Sequence, residues 1–421
     1  MNRTVYSLLL YLLLPFTPIK LLWRGIRQPE YLQHVGERYG FYPELASEKP
    51  LIWLHCVSVG ETRAAAPLVK ELQHHYPQHQ ILLTHATPTG RAAGEQLFGD
   101  SVLRAYLPYD VPSAVRRFVT HFKPVLGVLM ETELWFNLIA SCKTQQIPIL
   151  LVNARLSVKS ATGYAKVGKL ASEGLQSLTA IAAQTEQDAE RLNGLGASNT
   201  EVMGNLKFDV LPPPDAAELG HQLRVLLGKN RPVFLAASTR DGEEATILQA
   251  VKAAQVPNLL TIIVPRHPQR FDEVGNMLTK SGVRFLRRSK LEEAVPATVS
   301  TVLGDSMGEM FTYYAASDIA FIGGSLQPLG GQNLIEASAM SKPVLIGPHT
   351  FNFTQATELA IAAGAAWRVN DSADLANALK RLFGDHEKRQ SMSLAALDFS
   401  TSEGGATLRI ADLIARYLPQ G

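Results

Sequence analysis

The order of apolar and helical segments predicts an α/β protein built from two doubly wound, Rossmann-like domains. Three observations predict it. The chain has 421 residues, more than one ordinary hydrophobic core organises, so two domains are expected. Its apolar runs are of strand length and continuous rather than alternating, and amphipathic or alanine-rich stretches separate them, which is the pattern of parallel strands covered on both faces. Midway, Leu211-Pro-Pro-Pro-Asp215 forbids both helix and central strand and reads as a linker.

In chain order, residues 1–27 form a strongly apolar N-terminal segment. The core of this segment, residues 5–17, is shorter than the ~20 residues a spanning helix needs unless it continues through Pro18 to Trp23 past Lys20. Prolines at 15 and 18 and the lack of a small-residue cleavage site argue against a cleaved leader. A single span or a partly embedded anchor fits better. Lys20, Arg24, Arg27 and Arg38 follow the segment and Arg3 alone precedes it, so the body is expected on the cytoplasmic side. Residues 28–209 are expected to form the first domain, with strands at 51–57, 81–84, 125–130, 149–152 and 180–183. Residues 210–400 are expected to form the second, with strands at 233–237, 260–264, 283–286, 301–303, 319–322 and 344–346. Within 401–421, residues 406–417 carry helical periodicity and are expected to return onto the first domain. Two such sheets would face their strand C-termini across a ligand cleft.

A net charge of +2 argues against a nucleic-acid partner. The two cysteines, Cys56 and Cys142, fall in or beside apolar runs outside any C-x-x-C pair and read as buried thiols. No zinc spacing occurs, and His74-His75 reads as an exposed helix end.

The residues able to do chemistry gather where strands end. Ser58-Val-Gly-Glu61 lies between the first body strand and a helix whose first turn suits Pro67. Glu61 is there either a helix-capping acid or a cleft carboxylate. Met130-Glu-Thr-Glu-Leu-Trp135 brings Glu131 and Glu133 to the end of another strand, and carboxylates at one sheet edge need cations or a use. Lys207, in Gly204-Asn-Leu-Lys-Phe-Asp209, is the nearest obvious cation. In the second domain, residues 238–244, 265–271 and 305–310 are polar loops after strands. The run from Phe321 to Pro348 is a strand, a glycine-rich turn, a helix opening near Asn333 and another strand, with Glu336 near the helix start. Its two glycine pairs are expected to let the backbone pass close to a ligand, and the helix opening near Asn333 to point its unpaired N–H groups and positive dipole end at an anion.

Taken together, His55 to Thr62, Met130 to Asn137, Gly204 to Asp209, Pro265 to Phe271, Gly304 to Met310, Gly323 to Glu336 and Gly347-Pro-His-Thr-Phe-Asn-Phe353 resemble the membrane-anchored 3-deoxy-D-manno-octulosonic acid (Kdo) transferases of lipopolysaccharide assembly. The resemblance covers nearly the whole chain. It implies a GT-B fold, an acceptor-binding first domain, a CMP-Kdo-binding second domain, and transfer of Kdo from CMP-Kdo to the tetraacylated lipid A precursor at the bacterial inner membrane. It implies Glu61 as general base, with Glu131 and Lys207 supporting the transition state. CMP is implied at Arg266 and His267, at Met307, Gly308 and Glu309, and at Asn333, Leu334, Ile335 and Glu336. Two departures bear on the donor side: Gln332 stands where members often have histidine, and Ser238-Thr-Arg240-Asp241 replaces a common Ser-Thr-His-Glu. With no Asp-x-Asp pair in sight, neither a metal nor a cofactor is expected, and the reaction is read as a single inverting displacement. Two other readings stay open: a GT-B transferase or epimerase acting on a UDP-sugar, and a membrane-tethered sugar-nucleotide binder without turnover.

Overall fold

The computed structural model describes residues 1–44 and 49–419. The chain divides into two compact units, Met1–Asp209 with Gly404–Gly421, and Val210–Glu403.

The first unit contains β1 (Leu51–His55), β2 (Gln80–His85), β3 (Leu103–Tyr106), β4 (Leu126–Met130), β5 (Ile149–Ala154), β6 (Ala180–Ala183) and β7 (Thr200–Val202). They form one sheet in the order β3-β2-β1-β4-β5-β6-β7, and every pairing is parallel. Every residue of β1, β4, β5 and β6 is buried, which is why these segments read as unbroken apolar runs. Two strands, β3 and β7, were not expected from the sequence. Both lie at sheet edges, are short, and mix in partly buried polar residues such as Arg104 and Glu201, so they carry no continuous apolar signal.

One core of this unit, on a face of the sheet that includes Ile52, Leu54 and Val128, is completed from the far end of the chain. Ile410, Leu413 and Ile414 of the helix Ala406–Tyr417 are fully buried in it. Asp209 holds the start of that helix through the backbone N–H groups of Gly405 and Thr407. On the other face, Trp53, Phe118, Leu129 and Leu151 pack together, and Cys142 belongs to the same cluster. Both cysteines are free and buried, and His74 and His75 close an exposed helix end.

The second unit repeats the plan with β8 (Val233–Thr239), β9 (Leu260–Pro265), β10 (Phe285–Arg287), β11 (Thr301–Leu303), β12 (Ile319–Ile322), β13 (Val344–Ile346) and β14 (Ala366–Arg368). Their order is β10-β11-β9-β8-β12-β13-β14, again all parallel. Here too the unforeseen strand, β14, is a three-residue edge strand ending on Arg368.

Each sheet has a switch point, where strands leave the first strand in both directions. It lies between β1 and β4 in one unit and between β8 and β12 in the other. Loops diverge at such a point and leave a crevice beyond the carboxyl ends of the strands.

Candidate active site

Glu61 and Glu131 flank the switch point of the first unit. Glu61 lies in the first turn of the helix Val59–Ala64, which follows β1; Pro67 opens the next helix, Ala66–His75. Ser58 caps the first helix, its Oγ accepting from Glu61 N at 3.3 Å. In return Glu61 Oε2 accepts from Val57 N at 2.7 Å and Oε1 accepts from the Ser58 hydroxyl at 2.9 Å. This is a variant of the capping box, so the capping role is real. It does not account for the electrostatics. An exposed capping carboxylate is held ionised by its donors, whereas Glu61 is buried and burial pushes its pKa up to about 7, outweighing the Val57 and Ser58 hydrogen bonds; the neighbouring Glu131 and Glu133 charges push the same way. Each oxygen keeps a second lone pair for an incoming proton.

Glu131 follows β4 directly, and its backbone is left-handed, with φ 58°. A non-glycine residue there is held against a cost of about 1–3 kcal/mol, a feature typical of functional turns. Two cations hold its carboxylate: Lys207 Nζ lies 3.5 Å from Oε1 and Arg155 Nε lies 3.4 Å from Oε2. Lys207 comes from the short turn Leu206–Phe208, and Arg155 from the loop after β5. Glu61, Glu131 and Lys207 were expected here from the sequence, and Arg155 was not. A single arginine after a strand carries no local signal; only the β4–β5 pairing sets it beside Glu131. His55, within the same motif, is buried beside Thr84, and burial drives its pKa to about 3, so it stays neutral.

The second unit's switch point is organised by two adjacent carboxylates that sequence reasoning did not single out. Glu243 is completely buried. Its Oε2 accepts from Arg240 N at 2.9 Å and Gly324 N at 2.6 Å, and its Oε1 from Ser325 N and Leu326 N, each at 3.0 Å. Glu244 accepts both Arg270 guanidinium nitrogens, Nη1 at 2.7 Å and Nη2 at 3.1 Å, and the Thr239 hydroxyl at 2.7 Å. These neighbours therefore tie together the loops after β8, β9 and β12.

Part of the glycine-rich turn is used by the protein itself. The N–H groups of Gly324, Ser325 and Leu326 are spent on Glu243 rather than held open for an anion. The glycines also make room for protein: a Cβ on Gly323 would sit 2.4 Å from the Ser238 carbonyl oxygen.

The residues expected to meet CMP occupy the ends of β9, β11 and β12. Arg266 Nε donates to Gln332 Oε1 at 3.1 Å, so the residue that departs from the family pattern joins the β9 loop to the β12 turn. His267 is exposed, and its pKa is lowered by partial desolvation and by the nearby Arg240, Arg266 and Arg270 charges. Asn333 Nδ2 donates to Glu336 Oε1 at 3.2 Å, and Asn333 Oδ1 accepts from Ile335 N at 3.1 Å. Leu334 and Ile335 are fully buried. Met307 is exposed, Gly308 has φ 81°, and Glu309 accepts from Arg288 at 2.7 Å.

The 3-deoxy-D-manno-octulosonic-acid transferase family model matches residues 33–210. A 3-deoxy-D-manno-octulosonic acid transferase of Bordetella pertussis is 42% identical over 99% of this chain and 100% of its own length. Another, from Haemophilus influenzae, is 38% identical over 99% of both chains. The chain belongs to the 3-deoxy-D-manno-octulosonic acid transferases. It is therefore a glycosyltransferase. A UDP-GlcNAc 2-epimerase of Neisseria meningitidis superposes with a TM-score of 0.58 at 17% identity over 87% of this chain and 100% of that one. A glycosyltransferase of Rickettsia africae gives 0.57 at 14% identity over 88% and 98%. At those identities the likeness is one of fold, and the fold of this Kdo transferase is of the GT-B type: two α/β units, each on a parallel seven-stranded sheet. Its N-terminal segment, Arg3–Arg27, is long and apolar enough for a membrane anchor.

Proposed function

We propose that this Kdo transferase takes Kdo from CMP-Kdo and joins it to a hydroxyl of the tetraacylated lipid A precursor, at the cytoplasmic face of the bacterial inner membrane. The observation that carries the reading is Glu61: a buried carboxylate at a sheet switch point with its pKa near 7. A sugar hydroxyl is a poor nucleophile until a base accepts its proton, and the most useful base titrates near the working pH. Glu61 takes the acceptor proton as the acceptor oxygen bonds to the anomeric carbon of Kdo. The bond from that carbon to the CMP phosphate oxygen breaks, and CMP leaves with the electron pair. Attack opposite the leaving group inverts the anomeric centre.

Sugar carbon gains positive charge as the old bond breaks ahead of the new one. Glu131, paired with Lys207 and Arg155, supplies negative charge for that moment. The donor is assigned to the second unit. Arg266 and His267 meet the nucleotide, Met307, Gly308 and Glu309 line it, and Asn333 and Glu336 take the ribose end, with the Leu334 and Ile335 backbone beside them. Carboxylates Glu243 and Glu244 hold those loops in register.

The test is turnover of CMP-Kdo with the tetraacylated lipid A precursor in detergent, wild type beside Glu61→Ala, with products resolved by mass. Kdo addition by the wild type, and its loss in a variant that still binds CMP, is expected. A well-folded wild type that is inert toward CMP-Kdo and processes a UDP-sugar overturns the reading.

A further inference from the structure

The N-terminal segment does not stand clear of the protein. It runs as two helices, Arg3–Leu13 and Thr17–Arg27, joined by the turn Leu14–Phe16, and one edge lies on the first unit along its length. Tyr6 donates its hydroxyl to Asp110 at 2.9 Å and sets its ring edge-on to Phe136. Ser7 Oγ lies 2.9 Å from Asn137 Oδ1, and Tyr11 Oη accepts from Ser113 N at 3.1 Å. Thr17 and Tyr39 share a hydroxyl hydrogen bond of 2.8 Å, and Leu21 and Gly25 are buried. Within each helix a four-residue step, Ser7 to Tyr11 in the first and Thr17 to Leu21 to Gly25 in the second, keeps these groups on the body-facing side. Their polar partners are built in: Asp110 is buried and also accepts from the backbone N–H groups of Asn137 and Leu138.

The opposite face is apolar and open. Leu8, Leu12, Phe16, Ile19, Leu22 and Ile26 are each at least 60% exposed. Lys20, Arg24 and Arg27 are exposed on the second helix, and the Arg27 guanidinium lies over the Trp23 ring at 5.4 Å. Arg38, counted from sequence among the flanking cations, is buried instead, its guanidinium 3.9 Å from the centre of the Tyr106 ring.

A spanning helix needs about 30 Å of its length in hydrocarbon. The contacts from Tyr6 to Gly25 occupy 19 residue steps of 1.5 Å, or about 29 Å. No stretch of spanning length remains outside them, and a crossing that kept them would carry Asp110, Ser113 and Asn137 into lipid beside the helix.

We infer that this segment is an in-plane anchor: it lies along one leaflet, its leucine-rich face in the acyl region and Lys20, Arg24 and Arg27 toward anionic headgroup phosphates, and it does not cross. An apolar face with a basic fringe and interfacial tryptophan is the form such helices take. The inference rests on the membrane part of the proposed function and specifies it.

The test uses the full chain, reconstituted by detergent removal into phosphatidylcholine–phosphatidylglycerol vesicles with lipids brominated at defined acyl depths. Fluorescence of Trp23 is compared with that of a Leu12→Trp, Trp23→Phe variant. An in-plane segment gives the same shallow quenching at both positions. Strongest quenching of residue 12 by bromines near the bilayer centre overturns the inference. Failure to join the vesicles overturns it too, along with the membrane reading, while detergent turnover still reports separately on the chemistry. As an independent readout, Asn2→Cys is treated with an impermeant maleimide in intact spheroplasts; native Cys56 and Cys142 are buried. Protection until lysis is expected, and labelling of intact spheroplasts overturns the inference.

Discussion

If Glu61 is the base, its burial must be visible in the pH dependence of catalysis. With a pKa of about 7, the ionised fraction at pH 6 is about one tenth and at pH 5 about one hundredth, and kcat/KM should fall with it. An ordinary glutamate, near 4.5, would still be almost wholly ionised at pH 6, so the two cases differ about tenfold at one easily reached pH. The assay is the initial rate of Kdo transfer at subsaturating acceptor from pH 5 to 9. Glu131→Gln should move the acid limb to lower pH, because it removes a negative charge that raises the Glu61 pKa and leaves the Lys207 and Arg155 charges uncompensated. Burial also leaves a mark on stability. The folded state holds this proton up to about pH 7 and the unfolded state releases it near 4.5, so the contribution is full below 4.5 and is lost as pH rises through 7. At about 1.4 kcal/mol per pH unit, that interval is worth about 3 kcal/mol. Relative to wild type, Glu61→Gln should therefore gain about that much in urea stability between pH 4.5 and pH 8, while losing transfer. An acid limb below pH 5, or a Glu61→Gln effect on stability that is the same at both pH values, would refute the reasoning.

Other consequences follow from named contacts. Lys207→Ala removes one of the two cations on Glu131 and should lower kcat by about a hundredfold with a smaller change in acceptor KM, as loss of a transition-state electrostatic contact does. Glu243→Gln turns an amide N–H toward two of the four backbone donors that the carboxylate accepts; urea unfolding of the second unit should register about 2–4 kcal/mol, and KM for CMP-Kdo should rise more than kcat falls. Leu413→Ala empties a fully buried site in the terminal helix and should cost about 2–5 kcal/mol by denaturation, although residue 413 is far in sequence from the sheet it covers. Gly347→Ala would place a Cβ 2.2 Å from the Ser325 carbonyl oxygen and should reduce soluble yield and CMP binding together, measured by calorimetry on whatever folds.

Much of the fold was legible because parallel strands buried on both faces leave unbroken apolar runs, as in Ile149–Ala154 and Ile319–Ile322. The edge strands Leu103–Tyr106, Thr200–Val202 and Ala366–Arg368 were not legible, since one flank meets solvent and polar residues enter them. The site divides in the same way. Glu61 and Glu131 could be picked out because each is a carboxylate in the short segment that follows an apolar run, and a strand that ends at a doubly wound sheet's edge delivers the next residues to its crevice. Arg155, Glu243 and Glu244 could not, since nothing in their own surroundings distinguishes them from surface charge.

The sequence by itself determined which residues arrive at the strand ends, because burial and periodicity are local properties written into consecutive side chains. Only the tertiary structure decided what those residues become. The pairing of β4 with β5 sets Arg155 against Glu131, and desolvation lifts the Glu61 carboxyl toward neutrality. Glu243 spends the glycine turn's N–H groups on itself, 81 to 83 residues away in the chain. Each of these depends on dielectric and distance, and distance between residues remote in sequence exists only once the chain has folded.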